Sequence, residues 1–283
     1  DADIFNLMCI PNKNDGTDIT PEIYAEAAAY CVEQRAVLLI DPPATWTTPA
    51  LALTGLTSIT SLLGAEAKEH TALYFPRLLQ SDPLDDNTVK SFVPCGAIAG
   101  RIARIDGDRG VWKAPAGIES AMTGVRGFSY NLSDRENGQL NPKGINALRS
   151  RPPAGQVIWG ARTIAGDDAL TNEYKYLPVR RLSLFIQESL YRGTQFAVFE
   201  PNDEPLWAEL RLNVGAFMNN LFRQGAFQGQ SSNEAYFVKC DKEINTQNDI
   251  NLCIVNVLVG FAPLHPAAFL IISIQQLAVD IQT

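Results

Sequence analysis

Residues 20–40 read TPEIYAEAAAYCVEQRAVLLI, and this stretch decides the fold class. Thr20 reads as a helix N-cap and Pro21 takes the first helical position, where a missing N–H costs nothing. Ile23, Ala27, Tyr30 and Cys31 then recur at the three- and four-residue spacing of one helix face. Residues 36–40 follow as a strand that stops at Asp41-Pro42-Pro43. Upstream, residues 4–10 form a short apolar run closed by Pro11 and the turn-rich Asn12-Lys13-Asn14-Asp15-Gly16. Strand, helix and strand make a β-α-β unit, which favours parallel strands joined by a right-handed crossover.

Outward from this unit, residues 72–79 read as another strand, broken or moved to an edge by Pro76. Residues 94–106 read as a helix in which Gly96 and Gly100, four apart, permit close backbone packing. Glycines then recur at 107, 110, 117, 124, 127, 138 and 144, with Pro115 and Pro142 among them. That texture places a domain boundary near Gly117, within about ten residues. It divides the chain into an N-terminal domain, 1–117, and a C-terminal domain, 118–283.

Beyond the boundary, residues 178–192 place Val179, Leu182, Ile186 and Leu190 on one helix face, with Gly193 at the C-cap. Residues 195–200 read as a strand. Residues 204–224 are the strongest helix, with Trp207, Leu210, Val214, Phe217 and Leu221 in one stripe. Asn202-Asp203-Glu204-Pro205 supplies acceptors and negative charge at its positive end, and Gly225 closes it. This helix should lie along a sheet built partly from 195–200 and 236–240. Residues 252–261 and 269–279 read as two longer strands, joined through Pro263, His265 and Pro266. The expected fold is mixed α/β (α+β): sheets flanked by helices, two domains, and an extended C-terminal strand or arm.

Composition narrows the function classes. Of 283 residues, 46% are apolar and 19% charged, a globular balance. Twenty-three basic against 31 acidic residues give a net charge of -8, which argues against a protein that grips nucleic acid. The longest strongly apolar run, 269–274, is far short of the roughly 20 residues a membrane helix needs, so no membrane insertion is expected. The opening Asp1-Ala2-Asp3 carries no signal-peptide features, and without an initiator Met the chain reads as processed or truncated. Cys9, Cys31, Cys95, Cys240 and Cys253 are odd in number, widely spread and mostly among apolar neighbours. They read as small buried hydrophobes in a reducing compartment, and with only His70 and His265 no zinc cluster can form.

Catalytic motifs fail one by one. The loop after Ile10 holds one glycine, Gly16, so a dinucleotide fingerprint is missing. Residues 155–160 have the glycine spacing of a P-loop, but Ala161-Arg162 stand where Lys-Ser/Thr must do the phosphate and magnesium work. Asp106-Gly107-Asp108 starts like a calcium loop, yet its twelfth position is Gly117. His70 and His265 read as exposed or structural, and Asn131-Leu132-Ser133 is a sequon without meaning unless the chain is secreted. No catalytic, cofactor-binding or metal residue is expected, and no cofactor. One feature is left over: residues 269–279 are apolar on both alternating faces. Phe269, Ile271, Leu277 and Val279 fall on one, and Leu270, Ile272, Ile274 and Ala278 on the other. Such a segment is either a core strand of its own sheet or a strand given to a neighbour.

Several blocks, in this order, resemble those of phage contractile tail sheath proteins. Gly110-Val111-Trp112-Lys113-Ala114-Pro115-Ala116 is similar to the family's G-V-W-K-A-P-A, and Leu140-Asn141-Pro142-Lys143-Gly144-Ile145-Asn146 to its L-N-P-x-G-I-N. Trp159-Gly160-Ala161-Arg162-Thr163, Val179-Arg180-Arg181-Leu182 and Phe199-Glu200-Pro201-Asn202-Asp203 follow, the last with Leu206-Trp207 after it. Phe237-Val238-Lys239-Cys240-Asp241, Asn245-Thr246-Gln247 and Val259-Gly260-Phe261-Ala262-Pro263 close the series. The resemblance covers nearly the whole chain, most densely 94–279.

The resemblance implies a structural subunit without chemistry. Six copies form a ring around an inner tube, rings stack into a helical sheath, and terminal arms add strands to adjacent subunits. Contraction drives the tube through the target envelope. The implied partners are further copies of the chain, the inner tube protein, and baseplate and tail terminator proteins. The implied location is the tail of a virion or contractile particle assembled in the host bacterial cytoplasm. Strand exchange would use Phe269, Leu270, Ile271, Ile272, Ile274, Leu277 and Val279, with 252–261 in the accepting sheet. Tube contact would fall to basic residues of the two C-terminal helices: Arg180, Arg181, Arg211 and Arg223. The family's N-terminal arm cannot be placed on this chain. Two other readings stand beside this one: a sheath-like adaptor or tail terminator, and a hydrolase using Asp41 or Glu200.

Overall fold

The computed structural model describes residues 3–12, 16–169 and 171–266. The segment 269–279 lies outside the described residues.

A five-stranded sheet organises the larger part of the molecule. Strand β1 (Leu7–Cys9), helix α1 (Pro21–Glu33) and strand β2 (Val37–Ile40) form the expected β-α-β unit, with Leu7 opposite Val37 in a parallel ladder. Helices α2 (Pro49–Thr60) and α3 (Ala65–Glu69) lead to β3 (Thr71–Phe75), again parallel, with Leu39 opposite Ala72. All four residues of β2 and all five of β3 are buried, because helices cover both faces of these central strands. Pro76 does end the strand, but β3 is central rather than at an edge. The chain turns away into β4 (Leu78–Asp82), which with β5 (Thr88–Phe92) and later β6 (Gly127–Phe128) makes a separate three-stranded antiparallel sheet.

Helix α4 (Cys95–Arg109) returns to the large sheet, and α5 (Asp134–Leu140) precedes β7 (Ile145–Arg151) and β8 (Gly155–Ile158). The sheet order is β1-β2-β3-β7-β8, with only the last pair antiparallel. One face carries Leu38, Ile40, Leu73, Phe75 and Ile145 against α1 and α2. The other carries Val37, Leu39, Ala72, Tyr74 and Leu148 against Ile98 and Ile102 of α4 and Leu177 and Leu184 of the next helix. The expected boundary near Gly117 therefore cuts this sheet, since β7 and β8 lie beyond it. Glycines in that stretch mark a surface excursion, and the partner strand for β3 comes after it.

Helix α6 (Leu177–Gly193) ties this body to a smaller one. Its residues 177–184 are all buried, and Leu182 and Ile186 reach a second cluster with Val214, Met218 and Leu221 of α7 (Glu204–Arg223). The 195–200 strand is not formed: Gln195–Ala197 is a turn of 3₁₀ helix. Among the described residues no strand lies beside it for the aromatic and β-branched residues to pair with, and the backbone closes locally, Ala197 N–H to the Thr194 carbonyl at 3.0 Å. Asp203 caps α7 as read, accepting from Leu206 N–H at 3.4 Å. Trp207, Leu210, Val214 and Leu221 are buried, Phe217 only partly, and Met218 completely.

After α8 (Ser232–Ala235), β9 (Tyr236–Lys239) pairs antiparallel with β10 (Leu258–Phe261), Val238 opposite Val259. The expected strand 252–261 is thus only its last four residues. A capping box, Thr246 with Asp249, starts the short helix α9 (Gln247–Asn251) just before it and leaves Leu252 and Ile254 exposed. Of the cysteines, Cys31, Cys95 and Cys240 are buried, Cys9 is half-buried and Cys253 is exposed; all are free thiols.

Candidate functional site

Three of the blocks that carry the sheath resemblance meet around one cleft of about 750 Å³. Helix α4 ends at Gly110, whose φ of 89° no side-chain-bearing residue adopts cheaply. A Cβ there would sit 2.4 Å from the Trp112 ring, which folds back over the glycine. Val111 and Trp112 thereby join the cluster between α6 and α7. From the second block, buried Asn146 donates to the carbonyls of Leu73 and Arg162 at 3.1 and 2.8 Å and accepts Arg162 N–H at 2.7 Å. Gly160, of the third block, lies directly on that asparagine, with 2.8 Å between a Cβ position and its Oδ1. Trp112, Lys113, Trp159, Arg162, Tyr176 and Arg109 line the cleft, and Leu264 to Pro266 form part of its wall.

The cleft is positively biased. Arg109 and Lys113 share a single carboxylate, Glu119, at 2.7 and 3.6 Å. Arg162 shares Asp168 with Lys175, and its Nε has no hydrogen-bond partner although the residue is buried. Among the described residues two carboxylates thus answer four cations.

The four arginines expected at the tube are divided by burial. Arg180 is enclosed: it stands 3.8 Å from Glu69, lies over the Tyr174 ring at 4.3 Å, and donates to Nε2 of His70. His70 is itself buried, with Nδ1 at 2.7 Å from the Ala36 carbonyl, and burial lowers its pKa. It is a structural histidine. Arg181 is also buried and forks onto Asp106 of α4 at 2.8 and 2.5 Å. These two arginines hold the interior of the chain together and present no surface to a partner. Arg211 is part-exposed, donating to Glu204 at 2.6 Å and to the Cys240 carbonyl, and Arg223 is exposed.

The β9–β10 sheet is the second assembly feature. It has two strands among the described residues, one face packed on α7, and beyond them only an isolated antiparallel bridge, Phe227 to Pro263, at the end of β10. Phe237 and Leu258 are exposed large apolar residues on it.

The two hydrolase candidates are not brought together. Asp41 ends β2 under the start of α4, where its Oδ1 accepts Cys95 N–H at 2.8 Å and its Oδ2 is buried without a partner. Burial pushes its carboxyl up to about 6, against the hydrogen bonds from Cys95 and the charge of Arg77, which pull it down. Pro94 offers no side-chain acceptor to α4, so Asp41 serves as its remote cap. Glu200 lies on the exposed turn after α6. Among the described residues no group of three His, Cys, Asp or Glu is placed to hold a metal ion, and no helix is long and apolar enough to cross a membrane. Sequence reading missed the cleft because its walls come from blocks tens of residues apart.

The phage tail sheath C-terminal domain family matches residues 170–276. The chain is similar to the helical sheath of the anti-feeding prophage in its contracted state, at 30% identity over 96% of this chain and 70% of that one, with a TM-score of 0.75. It is similar to the contracted sheath complex of PVC, an extracellular contractile injection system, at 28% identity over 99% and 72%, with a TM-score of 0.80. A chain of the anti-feeding prophage baseplate shares 29% identity over 98% and 70%, with a TM-score of 0.79. No curated protein sequence matches the chain.

Proposed function

Because this chain belongs to the contractile tail-sheath family, we propose that it is a structural subunit that stacks on its own copies into a sheath around an inner tube and contracts to drive that tube forward. The observation that carries the proposal, beside the family itself, is the two-stranded β9–β10 sheet. Two strands are marginal alone, and an unpaired edge is a template for another chain. Residues 269–279, apolar on both alternating faces, have the pattern of a strand that would be covered on both sides once added. The reading is that Phe269, Leu270, Ile271, Ile272, Ile274, Leu277 and Val279 of one copy extend the sheet of the next. Main-chain pairing of this kind keeps copies tethered while their bodies rotate.

The finer parts of the proposal follow from the family. Copies form rings of six, baseplate and terminator proteins close the array, and assembly takes place in the host cytoplasm. Tube contact falls to Arg223 and Arg211 on the outward side of α7. Removing every residue after Pro266 should leave a folded body that no longer forms tubes in negative-stain micrographs. Tubes of normal length from the truncated protein would refute strand exchange.

A second reading is favoured by the likeness to a baseplate chain: a sheath-like adaptor that caps the array. Copy number per particle separates the two, with many rings for a sheath and a single ring for an adaptor.

A further inference from the structure

The turn between α6 and α7 carries a side chain that the described residues leave uncovered. Phe199 is fully exposed, and its backbone sits at φ 70°, a region that bulky residues avoid. Exposure gives up burial and the left-handed backbone adds strain, so nothing among the described residues accounts for a phenylalanine here. Val198 beside it is also exposed, and Glu200 after it forms no ion pair or side-chain hydrogen bond among the described residues. The neighbouring carboxylates are committed, Asp203 to the cap of α7 and Glu204 to Arg211. The turn therefore presents an aromatic ring and one free negative charge.

The cleft described above has the complementary character. Its walls include two tryptophans and a tyrosine, and among the described residues its four nearby cations share two carboxylates. Gln224 and Gly225, directly after α7, border it, whereas Phe199 stands just before α7. A helix of that length separates the two by about 30 Å, so the turn cannot reach the cleft of its own chain.

We infer that Phe199 and Glu200 of one copy dock into the Trp112–Trp159–Tyr176 cleft of a second copy, with Glu200 against Lys113 or Arg109. The inference rests on the self-assembly proposed above, but uses a surface separate from the β9–β10 edge. A knob at one end of α7 and a hole at the other make a heterologous contact. Such a contact propagates from copy to copy into rings or helices and does not close as a dimer.

Zero-length carbodiimide coupling of assembled particles, read by mass spectrometry, tests the pairing directly. A Lys113–Glu200 link is expected, and at this separation it joins different copies; Lys113–Glu119 serves as the internal control. A Lys113 link to Asp280 instead would mean that the chain's own C-terminal segment fills the cleft, and would overturn the inference. Phe199→Gly supplies the second arm. Glycine suits φ 70°, so the variant should melt at or above the parent's temperature while its critical concentration for assembly rises about tenfold or more, the size of an aromatic hot spot. A lower melting temperature with unchanged assembly would make Phe199 merely structural. Tubes formed as readily as by the parent overturn the docking and leave the sheath reading standing. A parent chain that forms no tubes overturns both.

Discussion

Replacing Asp41 by asparagine isolates the energetic effect of a buried charge at the end of β2. The amide keeps an acceptor for Cys95 N–H but cannot ionise. In the folded chain the carboxyl titrates at about 6, raised mainly by burial. In an unfolded chain it titrates near 3.9, so the difference of about two units corresponds to about 3 kcal/mol. Because the folded state holds this proton more tightly, the stability it supports is complete below pH ~4 and is lost as pH rises toward and through ~6. The carboxyls of Asp134, Asp168 and Glu136 act in the opposite sense, held low by hydrogen bonds from Arg149, Lys175 and Ser133. The informative quantity is therefore the stability difference between Asp41→Asn and the parent, measured by urea unfolding at several pH values. It should shift in favour of the variant by about 2 kcal/mol between pH 4 and pH 7.5. A difference that is flat with pH would show that Asp41 is solvated or fully neutralised by Arg77. A shift of the opposite sign would show that the arginine dominates.

Met218→Ala should lower stability by about 2–5 kcal/mol in urea unfolding, and Phe217→Ala by clearly less, since only Met218 is completely enclosed. Arg181→Ala leaves Asp106 without its fork and should cost about 3 kcal/mol by the same measurement, while Arg223→Ala, on the surface, should stay within about 0.5 kcal/mol. Gly110→Ala meets both the positive φ and the Trp112 ring, so the melting temperature should fall and the near-ultraviolet circular dichroism of the tryptophans should change.

Local periodicity carried the reading wherever one element explains its own residues. The β-α-β unit over 20–40, helix α4, and helix α7 with its Asp203 cap are all visible in the spacing of apolar residues and caps. What failed depended on neighbours far along the chain. Residues 195–200 have strand chemistry but no strand beside them among the described residues, and 252–257 follow a capping box that pre-empts extension. The Gly117 boundary misled because glycine density reports an irregular path, whereas sheet membership is decided by where β7 returns. Arg180 and Arg181 look like the polar start of an amphipathic helix, yet that end of α6 is buried and each arginine finds a carboxylate on another element. The sheath blocks themselves were legible as a string. Their meeting around one cleft was not, because Gly110, Asn146 and Gly160 converge only through the tertiary fold.

The buried half of α6 has a mechanical meaning. Its first eight residues are embedded in the large body while Leu182 and Ile186 also seat the small one, so the same few turns belong to two interiors. Close-packed interiors have low compressibility and pass strain on without absorbing it. Sliding one body past the other would also pull Arg181 away from Asp106 and drag Trp112 out from between the helices. The subunit is stiff along this seam. Under the proposed strand exchange, load taken up at the β9–β10 edge would reach the large sheet with little give, and the stroke of a contracting sheath would be spent at the joints between chains and hardly at all within them.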